Sequence, residues 1–87
     1  MTSINKPYYK NSTLLDIRGK VCPLTFVYTK LSLEKLETGK ILEVYLDFPA
    51  ALKNIPESCK RQNIAELVEI KEHHSDRQEW IMILKKL

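Results

Sequence analysis

Little in this chain is abundant, and each scarcity removes a class of function. Two glycines in 87 residues leave no Gly-rich loop of the kind that cradles a phosphate. Two cysteines are too few for a disulfide framework. The longest apolar run, "WIMIL" at 80–84, falls far short of the about 20 residues that a membrane-spanning helix takes. Nothing in "MTSINKPYYKNS" resembles a signal peptide, and paired carboxylates placed for hydrolysis are not evident. Neither sign of charge dominates: 14 basic residues stand against 11 acidic ones, net +3. That balance permits contact with RNA or an acidic protein and argues for neither. Free thiols and no export signal imply a reducing, cytoplasmic compartment.

What is present is the material of one small domain. A chain of this length buries only about 60% of its unfolded surface. It has room for one sheet and a couple of helices, not for a deep enclosed site, so chemistry is expected at the surface. Residues 1–12 are polar, with Pro7, two tyrosines and no period, and read as a flexible tail before a domain at 13–87. Thr13–Ile17 reads as a short strand stopped by Arg18-Gly19. Pro23–Leu36 reads as a helix, with Pro at its first position, where the missing N–H costs nothing, and Gly39 in the C-terminal role. "ILEVYLD" (41–47) is a strand. A second helix is expected from Pro49 to about Gln62, kinked or restarted at Pro56. "AELVEIKEH" and "EWIMILKK" make two more strands joined by "HSDRQ". The order β-α-β-α-β-β predicts an α+β, two-layer sandwich: a four-stranded mixed sheet with two helices on one face.

Cys22 lies between the first strand and the first helix. If Pro23 is the first helical residue, Cys22 is the N-cap. Its side chain can then accept from the N–H of Leu24 or Thr25, and the helix dipole adds partial positive charge there. Both favour the thiolate. Arg18, Lys20 and Lys30 add positive potential, screened where exposed. Spacing alone leaves a second reading open, a small buried hydrophobe.

"LDIRGKVCPLT" resembles the signature of the TusA/SirA family of small sulfur-carrier proteins, Leu-Asp-x-x-Gly-Leu-x-Cys-Pro-x-Pro. Leu15, Asp16, Gly19, Cys22 and Pro23 match. "LDFPAALKNIPESCKRQN" is similar to the family's second block through Asp47, Pro49, Ala50, Ile55 and Pro56, and "ELVEI" and "WIMILKK" fall where its last two strands lie. The resemblance covers about residues 13–86. It implies that Cys22 accepts sulfane sulfur as a persulfide from a protein donor, such as a cysteine desulfurase, and relays it to an acceptor protein. In the best-known branch the sulfur ends in tRNA thiolation. Pro23, Leu24, Thr25, Asp16 and Gly19 would support the site. The expectation is a monomer that uses no cofactor or metal and needs no membrane. Three positions depart from the pattern: Lys20, Phe48 and Thr25. Thr25 replaces the motif's second proline, which restores an N–H and adds a hydroxyl beside the sulfur, so its N–H is expected to point at the Cys22 thiolate.

The remaining candidates read more plainly. Cys59 shares an apolar stripe with Leu52 and Ile55 and is expected in the core. His73-His74 are adjacent on a strand, point to opposite faces, and suit a metal poorly. Asp16 and Asp47 close strands and are expected to serve the turns. The first helix is apolar on two sides. Phe26, Thr29, Leu33 and Leu36 should face the sheet. Leu24, Val27, Tyr28 and Leu31 face either the other helix or a partner, with Lys30 and Lys35 at the rim. Two further functions compete with sulfur carriage: a regulatory or interaction module with an idle cysteine, and an RNA-binding domain. The last lacks a basic stripe and stacking aromatics.

Overall fold

A computed structural model describes residues 12–21, 23–74 and 78–87, with backbone alone at 73 and 74. Cys22, residues 75–77 and residues 1–11, most of the expected tail, lie outside the described residues. The elements are β1 (Thr13–Asp16), α1 (Leu24–Glu34), β2 (Ile41–Leu46), α2 (Ala51–Gln62), β3 (Ala65–His74) and β4 (Glu79–Lys86). Their order is the one the hydrophobic runs predict. The strands form one sheet in the order β1-β2-β4-β3. β1 pairs parallel with β2, and β4 runs antiparallel to both β2 and β3. The sheet is therefore mixed, and the fold is the expected α+β sandwich.

Side-chain alternation decides what each face does. Leu42, Val44 and Leu46 of β2 and Met82 and Leu84 of β4 join Leu33 of α1 and Ala51, Ile55 and Cys59 of α2 in one buried core. Both helices thus cover one face. The intervening residues Tyr45, Ile81 and Ile83 form a second buried cluster, with Leu14 and Ile41 packed against it. Central strands apolar on both faces read in sequence as unbroken hydrophobic runs, which "ILEVYL" and "WIMIL" are. Glu43 is fully buried and accepts a hydrogen bond from the Ser12 hydroxyl at 2.8 Å. Ser12, expected in the tail, is tied to the sheet.

The helix ends differ from expectation. α1 stops at Glu34, not Leu36, with Lys35 as C-cap. The N–H groups of Lys35 and Leu36 turn back to the carbonyls of Ser32 and Leu33 at 3.2 and 3.0 Å. That tightening closes the helix early. Gly39 instead serves the turn into β2 with φ +90°, donating to the Lys86 carbonyl at 2.8 Å. In α2, Pro56 brings no restart: a single helix spans it, held by the buried face of Ala51, Ile55 and Cys59. Asn63, left-handed at φ 57°, ends α2, and the Ile64 N–H reaches the Cys59 carbonyl at 3.0 Å. Asn is the usual alternative to Gly in that role.

Candidate functional site

The loop from β1 to α1 is fixed residue by residue. The Ile17 N–H donates to the Tyr45 carbonyl at 2.8 Å, which carries the parallel ladder one step past β1. The Lys20 N–H closes a turn on the Ile17 carbonyl at 3.1 Å. Gly19 takes φ +85° within that turn. A Cβ there would meet nothing within 4 Å, so the requirement for glycine is conformational, not spatial.

Two carboxylates clamp the loop. Asp16 accepts from the Arg18 backbone N–H at 3.1 Å and from its guanidinium at 2.9 and 2.7 Å. Arg18 also reaches Glu79 Oε1 at 3.3 Å and lies over the Tyr45 ring, 5.9 Å from its centroid. The hydrogen bond to Asp16 raises the Arg18 pKa further above its ordinary value, against the pull of burial, with Glu79 adding to the rise. Arg18 was expected to lend positive potential to the cysteine. Its charge is instead answered by two carboxylates. Asp47, one residue past β2, accepts the Gly19 N–H at 2.9 Å. Asp16 and Asp47 thus take the turn roles expected of them.

Cys22 itself lies outside the described residues, but its chain neighbours do not. Val21 and Pro23 are exposed. Pro23, expected as the first helical residue, is the N-cap of α1, with φ −89° and ψ 2° and no side-chain cap. Its carbonyl accepts from Val27 at 3.1 Å. The N–H groups of Leu24 and Thr25, expected to reach the sulfur, donate to the Val21 carbonyl at 2.9 and 3.3 Å. A turn closing over Val21–Thr25 uses those donors first, because a backbone carbonyl held four atoms away along the chain outcompetes a side chain. Thr25 is fully buried, so the residue that replaces the motif's second proline faces the core.

The two sides of α1 separate cleanly. Thr25, Thr29 and Leu33 are buried, with the Thr29 hydroxyl on the Thr25 carbonyl at 2.8 Å. Phe26 and Leu36 pack against the core. On the other side Leu24, Val27, Tyr28 and Leu31 are 45, 42, 39 and 50% exposed. The alternative, packing against the second helix, is set aside for these four. Val21, 53% exposed, extends the row to the cysteine. Sequence reading missed it, although an apolar residue directly before the motif cysteine was the available signal. Lys20 Nζ lies over the Tyr28 ring at 5.6 Å and adds a cation to the same edge.

Cys59 is fully buried in the core, and loss of solvent pushes its thiol pKa up to about 11. It is unsuited to act as a thiolate at neutral pH. The side chains of His73 and His74 lie outside the described residues. No helix among the described residues is long and apolar enough to cross a membrane.

With this geometry in place, comparison with known proteins converges on one group. The family model "Sulfurtransferase TusA" matches residues 13–86. A protein of Archaeoglobus fulgidus named "Putative sulfur carrier protein" is 38% identical over 73 residues, covering 84% of this chain and 80% of its own length. A protein of Thermotoga maritima with the same name is 42% identical over 64 residues, 74% of this chain and 80% of the relative. The crystal structure of a SirA-like protein from Desulfitobacterium hafniense superposes with a TM-score of 0.64 at 21% identity, over 84% of this chain and 95% of that one; it supports the fold. A match that spans both motif blocks and all six elements settles the assignment: this chain belongs to the TusA family of sulfur carriers.

Proposed function

We propose that the protein carries sulfane sulfur on Cys22 as a persulfide and relays it from a donor protein to an acceptor protein. The observation that supports this reading best is the setting of the motif cysteine. It follows a loop clamped by two carboxylates, its neighbours Val21 and Pro23 are exposed, and an apolar row on α1 begins beside it. The other thiol, Cys59, is buried and protonated.

The step is a thiol–persulfide exchange. The Cys22 thiolate attacks the outer sulfur of the donor's persulfide. A new S–S bond forms at Cys22 as the donor's S–S bond breaks, and the donor leaves as a thiolate. The transferred sulfur keeps its oxidation state, so neither oxidant nor reductant is consumed. An acceptor thiolate repeats the attack and returns Cys22 to its starting form. The donor implied by family resemblance is of the cysteine desulfurase type, and tRNA thiolation is one destination for the sulfur. Leu24, Val27, Tyr28 and Leu31 form the docking patch for both partners, with Lys20, Lys30 and Lys35 at its rim; an apolar centre with a charged margin is how such interfaces are built.

The test is to incubate the protein with a cysteine desulfurase and cysteine and weigh it. One added sulfur is expected on wild type and on Cys59→Ser, and none on Cys22→Ser. A folded protein that takes no sulfur at Cys22 from any persulfide donor would overturn the reading and leave an interaction module on the same fold.

A further inference from the structure

We propose that Asp47 is a positioning residue for Cys22, acting through Gly19. The inference deepens the persulfide reading and rests on it. Among the described hydrogen bonds of the loop, the Asp47–Gly19 contact differs in kind. Ile17, Arg18 and Lys20 are held by β1's own neighbours in the sheet or in the chain. Gly19 is held by a side chain 28 positions away, from the segment that links β2 to α2. Gly19 is also the loop residue with the widest backbone freedom, resting in the left-handed region at φ +85°, where no neighbouring atom restrains it. Remove the acceptor and that one residue can swing the three that follow it, Lys20, Val21 and Cys22.

The parallel pairing makes the latch possible. Asp16 stands opposite Tyr45, so both strands run off the same edge of the sheet, and the residue two places past Tyr45 arrives beside the residue three places past Asp16. A neutral acceptor at the same place would do as well, because what Gly19 needs is an oxygen. Transfer between two proteins demands that the sulfur be presented in one geometry, and small displacements are costly. Attack on a small diffusing reagent makes no such demand.

Three measurements on Asp47→Ala and Asp47→Asn test the proposal. Amide hydrogen exchange at Gly19 should speed up in Asp47→Ala and stay near wild type in Asp47→Asn. Sulfur loading by a desulfurase should slow by about tenfold in Asp47→Ala, the scale of a modest misplacement, and recover to within about twofold in Asp47→Asn. Alkylation of Cys22 by iodoacetamide, and its pH profile, should hold in both. Asp47→Glu, which keeps the charge and shifts the acceptor by one methylene, replaces the alanine variant if that does not fold, with the same expectation. Unchanged Gly19 exchange in Asp47→Ala overturns the latch. Faster exchange with wild-type loading overturns the positioning role. A loss in Asp47→Asn as deep as in Asp47→Ala shows that charge matters and not the acceptor. Wild-type protein that takes no sulfur at all overturns the persulfide reading, while the exchange data still judge the latch.

Discussion

At the scale of single residues the two cysteines divide the labour. Cys59 was legible because its neighbours on the helix, Leu52 and Ile55, set a stripe that must face the core. Its burial has a consequence for stability. The thiol titrates near 11 in the folded chain and near 9 when unfolded, so above pH 9 the unfolded state loses protons that the folded state keeps. Stability from this group is complete below pH 9 and is lost as the pH climbs to 11. Urea midpoints measured across that range should fall more for wild type than for Cys59→Ala. The surroundings of Cys22 were less legible. Sequence gives the donors Leu24 and Thr25 but not their acceptor, and the Val21 carbonyl, at 2.9 and 3.3 Å, takes both. A thiolate at Cys22 therefore has less help from these amides than an N-cap cysteine would have.

Among the elements, α1 is the informative one, because its composition left open which apolar side was core. The sheet decides: β2 and β4 meet Thr29 and Leu33, and Leu24 and Tyr28 stay out. Substituting Leu24→Asp or Tyr28→Glu should change stability by no more than about 0.5 kcal/mol, as surface changes do. Sulfur transfer between proteins should weaken while Cys22 alkylation persists. Loss of cooperative thermal unfolding in these variants would return the two residues to the core. α2 offers the opposite case. Pro56 sits six residues into the helix and denies the Leu52 carbonyl its usual donor. Pro56→Ala should stabilise the domain by about 1–2 kcal/mol, the interior cost of proline less the unfolded-state entropy it removes, read from urea titration. Helix limits were the least legible feature. Gly39 and Pro56 are strong punctuation in a sequence, yet local back-bonding at Lys35 and Leu36 closed one helix first, and the buried stripe of Ala51, Ile55 and Cys59 carried the other through its proline.

Taken whole, the molecule is organised by its strand order. The succession of elements could be read from hydrophobic runs alone, but β1-β2-β4-β3 could not, since pairing partners leave no mark in a single strand. β2 and β4, central and buried, should hold their amide protons longest, and the edge strands β1 and β3 should exchange first; equal protection across all four strands would contradict that order. The chemistry itself was legible only through resemblance, because a lone cysteine before a helix has too many uses. The register also separates the two ends of the sheet. Leu46 pairs with Trp80 at one end, and Ile41 with Lys85 at the other. The cysteine loop leaves from the first end and Leu87 from the second, where it is 45% exposed and its N–H meets the Ile64 carbonyl at 3.1 Å. The length of β2 lies between them, roughly 15–20 Å at about 3.3 Å per residue. A fluorophore or an immobilisation tether joined after Leu87 would therefore sit at the far pole, and donor and acceptor could each approach the sulfur end of a surface-bound carrier unhindered.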